Sequence, residues 1–300
     1  MAVPVVLDTD IGSDVDDTWA LLQLLACPEL DLKLVVTTGG GTEYRAALAA
    51  KLLETAGRAD VPIATGIRGE PYCEFQREWL GDYDLGAYPG RVYDDALVAY
   101  REICLETPEL TVISIGPATN VARLVEEAPD LVGRFRFVGM HGSVRAGYGG
   151  GGPPIAEANV VADPAALQKV LAASWRDCLL TPLDTCGLIV LDGARYQRIW
   201  QHDSPGLAAL RENYRVWANS VTWEATPPRE VPVRSSTLFD TVAVYLAYDE
   251  DWTVVETHPV RVTDDGFTVI EDGSPQVRLA LAWSDREAFE EDLTARLLSL

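Results

Sequence analysis

The stretch Val3-Pro4-Val5-Val6-Leu7-Asp8-Thr9-Asp10-Ile11-Gly12-Ser13-Asp14-Val15-Asp16-Asp17 joins a β-branched apolar run to five aspartates within ten residues. Apolar residues at helical spacing follow over Thr18 to Ala26. The whole reads as a buried strand from Val3 to Leu7, an acidic loop, and a helix. The unit recurs along the chain. Leu32 to Thr37 is strand-like and Tyr44 to Ala56 helical; Val61 to Ala64 and Asp94 to Leu105 repeat the pair. Leu110 to Ile115 precedes a helix from Ala118 to Glu127, and Phe135 to Met140 precedes a glycine-rich loop and a helix from Pro164 to Ala173, with Cys178 to Leu180 a further strand. Strands that alternate with helices predict parallel βαβ units, hence an α/β fold with an open, mostly parallel central sheet flanked by helices.

The last third is less regular. Ser204 to Trp223 has helical spacing, Thr226 to Pro232 is a proline-rich connection, and Leu238 to Tyr248 resumes a helix. Val254 to Val262 and Phe267 to Ile270 flank Asp264-Asp265-Gly266, which predicts a hairpin. With 300 residues, 48% of them hydrophobic, residues 1–300 are expected to form one domain. No apolar run has the ~18–20 residues a bilayer span needs, and no secretion signal is read at the N-terminus, so a cytoplasmic protein without membrane attachment is expected. The net charge of -22 disfavours nucleic acid as a partner, because phosphate binding needs a basic surface. The five cysteines, Cys27, Cys73, Cys104, Cys178 and Cys186, are odd in number and form no C-x-x-C pair, so neither a disulfide framework nor a zinc knuckle is expected.

In an open α/β sheet, ligands bind beyond the carboxyl ends of the strands. The segments found there are the aspartate loop after the first strand, Thr37-Thr38-Gly39-Gly40-Gly41 after the second, Gly116-Pro117, and His141-Gly142. Two carboxylates ~4 Å apart repel by about 4 kcal/mol at an effective dielectric near 20, so several in one loop call for a cation or for protons. All-oxygen ligands favour calcium or magnesium over zinc, and Gly12 permits a tight turn around one ion. Capping of the next helix accounts for one or two of these aspartates only. An EF-hand is excluded, because Trp19 stands twelfth from Asp8 where that loop needs Glu.

The same residues resemble the inosine-uridine type nucleoside hydrolases. Asp8 to Asp17 looks like a longer form of their D-x-D-x-G-x-D-D signature. Ile115-Gly116-Pro117-Ala118-Thr119-Asn120-Val121-Ala122 is similar to their T-G-P-L-T-N-I-A. Ala156-Glu157-Ala158-Asn159 through Asp163-Pro164 resembles A-E-x-N and D-P-E-A, and Phe239-Asp240 falls where the family has H-D. The resemblance implies a calcium ion (Ca2+) held by Asp10, by both oxygens of Asp17, by the Ile115 carbonyl and by Asp240. It also implies Asp10 as the base that takes a proton from the attacking water, and ribose contacts from Asp16, Asn159 and Glu157. A nucleoside is the implied partner, and a homodimer or homotetramer the implied assembly.

The chain departs from the family where the leaving base is recognised. Phe239 replaces a histidine credited with protonating that base, Leu80 replaces a second, and Thr42 and Gly151 stand where asparagines are common. Trp79 and Trp223 are candidates for an aromatic base pocket, with Phe239 beside them, and His141 is a candidate to reach the leaving group; Trp217 is read as a core residue. Two rival readings follow from the residues. Asp8-Thr9-Asp10-Ile11 partly fits a haloacid-dehalogenase-like phosphohydrolase, although Gly12 and three further aspartates do not. A relative that binds ribosides without turnover, or one acting on an atypical ribosylated metabolite, fits the lost histidines.

Overall fold

The computed structural model describes residues 2–69, 73–222 and 228–300. Ten strands form one sheet: β1 (Val3–Thr9), β2 (Leu30–Thr37), β3 (Ile63–Thr65), β4 (Val92–Tyr93), β5 (Leu110–Ser114), β6 (Phe135–Met140), β7 (Asp177–Thr181), β8 (Thr253–Val262), β9 (Thr268–Ile270) and β10 (Gln276–Trp283). Their spatial order is β4-β3-β2-β1-β5-β6-β7-β10-β8-β9. The pairings from β4 through β7 to β10 are parallel; β8 runs antiparallel to both β10 and β9.

Side chains alternate across a strand, so a strand covered on both faces feeds two cores. Along β1, Val5 and Leu7 enter one apolar layer and Val6 the other. The first layer is covered by the helices Asp16–Leu25, Thr42–Thr55, Pro205–Ser220 and Phe239–Tyr248, through residues such as Trp19, Leu48, Trp217 and Tyr245. The second is covered by Ala96–Glu106, Thr119–Glu127 and Pro164–Ala172, through Tyr100, Val121 and Leu167. Among the described residues, no helix is long and apolar enough to cross a membrane.

The chain builds outward from β1 through β2, β3 and β4, then returns to place β5 on the other side of β1. This reversal is the topological switch point, where the loops after β1 and β5 separate and leave a crevice. Register aligns the strand ends there: Asp8 stands beside Val36 of β2 and Ser114 of β5, and the Ile115 N–H donates to the Asp8 carbonyl at 2.8 Å.

The expected hairpin forms, with Val260, Arg261 and Val262 opposite Ile270, Val269 and Thr268. It joins the sheet through β10, an unanticipated strand that pairs parallel to β7 and antiparallel to β8. The helices Gly193–Gln201 and Arg286–Leu297 and the short β4 were also unanticipated. The helix expected from Ser204 runs over Pro205–Ser220, because Ser204 stays outside and accepts from the Leu207 N–H at 3.3 Å.

Candidate active site

Two helix starts converge on the crevice. Asp16 and Asp17 open Asp16–Leu25, and Asp240 is second in Phe239–Tyr248; neither helix has a side-chain cap on its own N-terminus. The free N–H groups and positive dipole ends therefore favour carboxylates there. The Asp240 N–H donates across to Asp16 Oδ2 at 3.2 Å, tying the two helices together. The expected capping of Asp16–Leu25 by one or two of the loop's aspartates is not seen: its N-cap is Val15, and Asp14 Oδ1 accepts only from the Val15 N–H, at 2.6 Å, ahead of the helix.

Asp16, Asp17 and Asp240 are buried, and one carboxylate oxygen from each lies within 4.8 Å of the others. At that spacing each ionised pair repels by about 3.5 kcal/mol for an effective dielectric near 20. Burial, and then the neighbouring carboxylates, hold all three well above the usual carboxylate range; for Asp17 the largest neighbouring charge is that of Asp10. Thr9 Oγ1 donates to Asp17 Oδ1. Asp10 lies on the same cavity wall, with Oδ2 accepting from Ser13 Oγ at 2.6 Å.

Arg45 is the only cationic side chain among the described residues of the cavity wall. Its donors go mainly to backbone: Nε to the Gly39 carbonyl at 2.8 Å, and Nη1 to the carbonyls of Asp10 and of Ile11, the latter at 2.9 Å. Its Nη2 is 3.9 Å from Asp10 Oδ2. Among the described residues the three clustered carboxylates thus form no ion pair with a guanidinium, Arg45 drawing on Asp17 only through its field, and an all-oxygen set of this kind fits a hard divalent cation such as calcium or magnesium.

Two glycines make the approach possible. Gly12 has φ of +107°, and a Cβ there would meet Leu48 Cδ1 and Tyr44 Cε1 at 2.7 Å. A Cβ on Gly116 would lie 2.8 Å from Asp10 Oδ1 and 2.7 Å from Thr38 Cγ2, so only glycine lets the loop after β5 close on Asp10.

The cavity measures about 970 Å³. Glu157 is buried in its wall and caps the helix Ala158–Ala162, accepting from the N–H groups of Asn159 at 2.7 Å, Val160 at 3.3 Å and Gly142 at 3.0 Å. Burial outweighs these bonds and pushes its carboxyl up to about 7. Asn159 Nδ2 donates to the carbonyls of Ile115 at 3.2 Å and Met140 at 3.1 Å, which fixes it over the ends of β5 and β6. Behind the wall, Asp8 accepts from Asn120 Nδ2 at 3.1 Å and Tyr100 at 3.2 Å, and burial pushes it up to about 7.

Of the residues singled out from sequence, Asp10, Asp16, Asp17, Ile115, Glu157, Asn159, Phe239 and Asp240 all line this cavity. The trio within reach of one centre contains Asp16, which the resemblance gave to ribose, and omits Asp10. His141 does not line the cavity. It is fully buried behind the wall, with Nε2 3.0 Å from the Gly116 carbonyl and its ring against Phe137, and burial lowers it to about 4. Trp79 also lies away from it, packed in the core with Lys51 Nζ 4.4 Å from its ring centre. Trp217 is a core residue whose Nε1 donates to the Ser13 carbonyl at 3.0 Å. Trp223 lies outside the described residues.

Tyr148, Phe75, Thr237 and Arg45 are wall residues that the sequence reading did not single out. Tyr148 meets Phe239 edge to face, with ring centres 5.7 Å apart at 77°. Its sequence signal was an aromatic residue set inside the glycine-rich loop after β6. For Arg45 the signal was a basic residue on an otherwise apolar helix face, at the turn nearest the aspartates.

The chain is similar to proteins of known family. Two bacterial non-specific ribonucleoside hydrolases are similar in sequence. That of Klebsiella pneumoniae is 34% identical over 218 residues, covering 65% of this chain and 64% of its own length; that of Escherichia coli (strain SE11) is 31% identical over 230 residues, covering 72% and 73%. The match thus spans just under two thirds of the Klebsiella relative. A plant nucleoside hydrolase superposes with a TM-score of 0.81 over 100% of both chains at 24% identity. An inosine-uridine preferring nucleoside hydrolase from Bacillus anthracis does so with 0.79 over 99% of this chain and 100% of its own at 21%; both share the fold. Residues 5–291 match the family model described as inosine-uridine preferring nucleoside hydrolase, and this chain belongs to that family.

Proposed function

We propose that this chain hydrolyses the N-glycosidic bond of a ribonucleoside, giving ribose and a free base, with calcium as its metal. The carrying observation is the set of buried carboxylates, Asp16, Asp17 and Asp240, which form no ion pair with a guanidinium among the described residues and stand beside Asp10 at the switch-point crevice. The similar ribonucleoside hydrolases support the reaction class, and the phosphohydrolase reading loses its ground with family membership. Asp17 and Asp240 would hold the ion together with the Ile115 carbonyl, and Asp16 and Asp10 flank it. Calcium, when bound, supplies a hard positive charge that orients the ribose hydroxyls and makes a nearby water more acidic.

The remaining work falls to the protein. Departure of the base leaves an oxocarbenium-like ribose, so the acidic wall stabilises the positive charge that develops at the anomeric carbon. Asp10 takes the proton of the attacking water; Ser13 Oγ, at 2.6 Å, holds its carboxylate in place for this. Asn159 and Glu157, fixed by their backbone bonds, present a rigid edge to the sugar.

The test is base release from a panel of ribonucleosides with calcium and with chelator, for the wild type and for Asp10→Ala. We expect calcium-dependent release, and a fall of about a thousandfold in kcat for the variant, the size of losing a general base. Riboside binding without release of any base by the wild type would make the chain a binding protein instead.

A further inference from the structure

We infer that the site prefers ribosides whose base carries a fixed positive charge, such as an N-alkylated purine or an N-ribosylpyridinium, over those with neutral bases; this rests on the ribohydrolase reading above. Three observations converge. The first is charge. The described cavity wall carries the carboxyls of Asp10, Asp14, Asp16, Asp17, Glu157 and Asp240 against the single guanidinium of Arg45, whose donors mostly serve backbone carbonyls. A divalent ion offsets only part of that negative field.

The second is the aromatic wall. Phe239 directly precedes Asp240, and its edge-to-face contact with Tyr148 places two rings on the cavity lining, with Phe75 also on the wall. Aromatic faces attract cations most strongly where water is excluded.

The third is that the described lining residues include no histidine or lysine to protonate a leaving base. The Tyr148 oxygen accepts from the Ala158 N–H and burial pushes its phenol up; burial also pushes up the Cys73 thiol. Both Glu157 oxygens are taken by backbone N–H groups. A neutral base leaving this wall carries away the bonding pair as an anion. A cationic base needs no proton: the C1'–N bond breaks, its electron pair cancels the charge on nitrogen, water adds to C1', and the water proton passes to Asp10.

Guanosine and N7-methylguanosine form a matched pair that differs by one methyl group and one charge. The test is kcat/KM for each with the calcium-loaded full chain at mildly acidic pH, where N7-methylguanosine keeps its N1 proton and hence its positive charge while solution protonation of guanosine is still negligible. We expect the methylated nucleoside to be favoured by more than about tenfold, and Phe239→Leu to cut that ratio by about threefold or more, within the range of a desolvated cation–π contact. A ratio at or below tenfold, or one that Phe239→Leu leaves unchanged, overturns the inference while the ribohydrolase reading stands. Release of base from neither nucleoside, nor from any other riboside, removes that reading and the inference together.

Discussion

Two carboxylate clusters of this molecule, set at different places on one sheet, are built on opposite principles. On the face of β6, β7 and β10, Asp177 and Glu250 meet Arg136 and Arg278 in a closed ring. Arg136 Nε reaches Asp177 at 2.9 Å and its Nη2 reaches Glu250 at 2.6 Å, while Arg278 bonds the same two carboxylates from the other side. Every acid there has two guanidinium contacts. At the switch-point crevice Asp16, Asp17 and Asp240 face one another, and the nearby Arg45 spends its donors on carbonyls. A paired cluster is complete within the fold and serves the joint between strands. An unpaired one raises the free energy of the empty protein, a cost relieved when protons or a cation arrive.

The strongest way to break this contrast is to remove an acid from the unpaired cluster. Asp240→Asn is expected to lower kcat/KM by on the order of a thousandfold, comparable to losing a principal catalytic group. It is also expected to raise the melting temperature of the chelated protein, since one repelling charge is gone. In the wild type, calcium at about a hundred times its Kd contributes about 2.7 kcal/mol. For a chain of this size that is a rise of roughly 4 °C in Tm. The variant should lose most of that rise. If calcium stabilises it as fully as the wild type, Asp240 holds no ion.

The parallel half of the fold and the acidic half of the site were both legible in sequence, for the same reason. Val3 to Asp17 carries a strand, a turn glycine and the carboxylates without interruption, so strand register alone delivers the acids to the crevice. The assignments from the family pattern likewise landed on the wall at Glu157 and Asn159 because short helices fix them there. The aromatic assignments fared differently. Trp79 and Trp217 are as apolar as Phe239 and Tyr148, and which of them faces a cavity depends on how helices far apart in sequence rotate against the sheet. The strand β10 did show a signal, Val277 and Leu279 alternating with polar residues, and Phe289, Leu293 and Leu297 lie one turn apart on the last helix. What sequence did not show is that β10 inserts between β7 and β8, because that choice is made by long-range pairing.

A smaller effect is expected from pH on the chelated protein. Asp8 and Glu157 are pushed up to about 7 by burial, from ordinary values of 3.8 and 4.5, and Asp16, Asp17 and Asp240 move the same way. Their folded forms bind more protons than their unfolded forms between about pH 4.5 and 7, so stability rises as pH falls through that window. His141, lowered to about 4, opposes this between 6.5 and 4, but it is one group against several. We expect Tm in chelator to climb from pH 7.5 to 5.5, with Asp8→Asn flattening the climb and calcium abolishing most of it. A Tm that falls steadily over the same range would show that the buried acids are already compensated.

The smallest effect belongs to the paired ring, and it sharpens the contrast by its locality. Asp177→Asn leaves Arg136 and Arg278 each with one carboxylate fewer, at a site where these side chains are between 16% and 35% exposed. Water screens part of the loss, so about 1 kcal/mol is expected, which is roughly 1.5 °C in Tm for a chain of this size. The ring is built from β6, β7, β10 and Glu250, and none of its four side chains lines the cavity, so kcat/KM and the calcium-induced rise should both stay within about twofold of the wild type, as for independent sites. A Tm lowered by this substitution beside one raised by Asp240→Asn in chelator would be the direct signature of two acidic clusters with opposite purposes. The same sign for both would mean that the crevice carboxylates, too, are held by the fold alone.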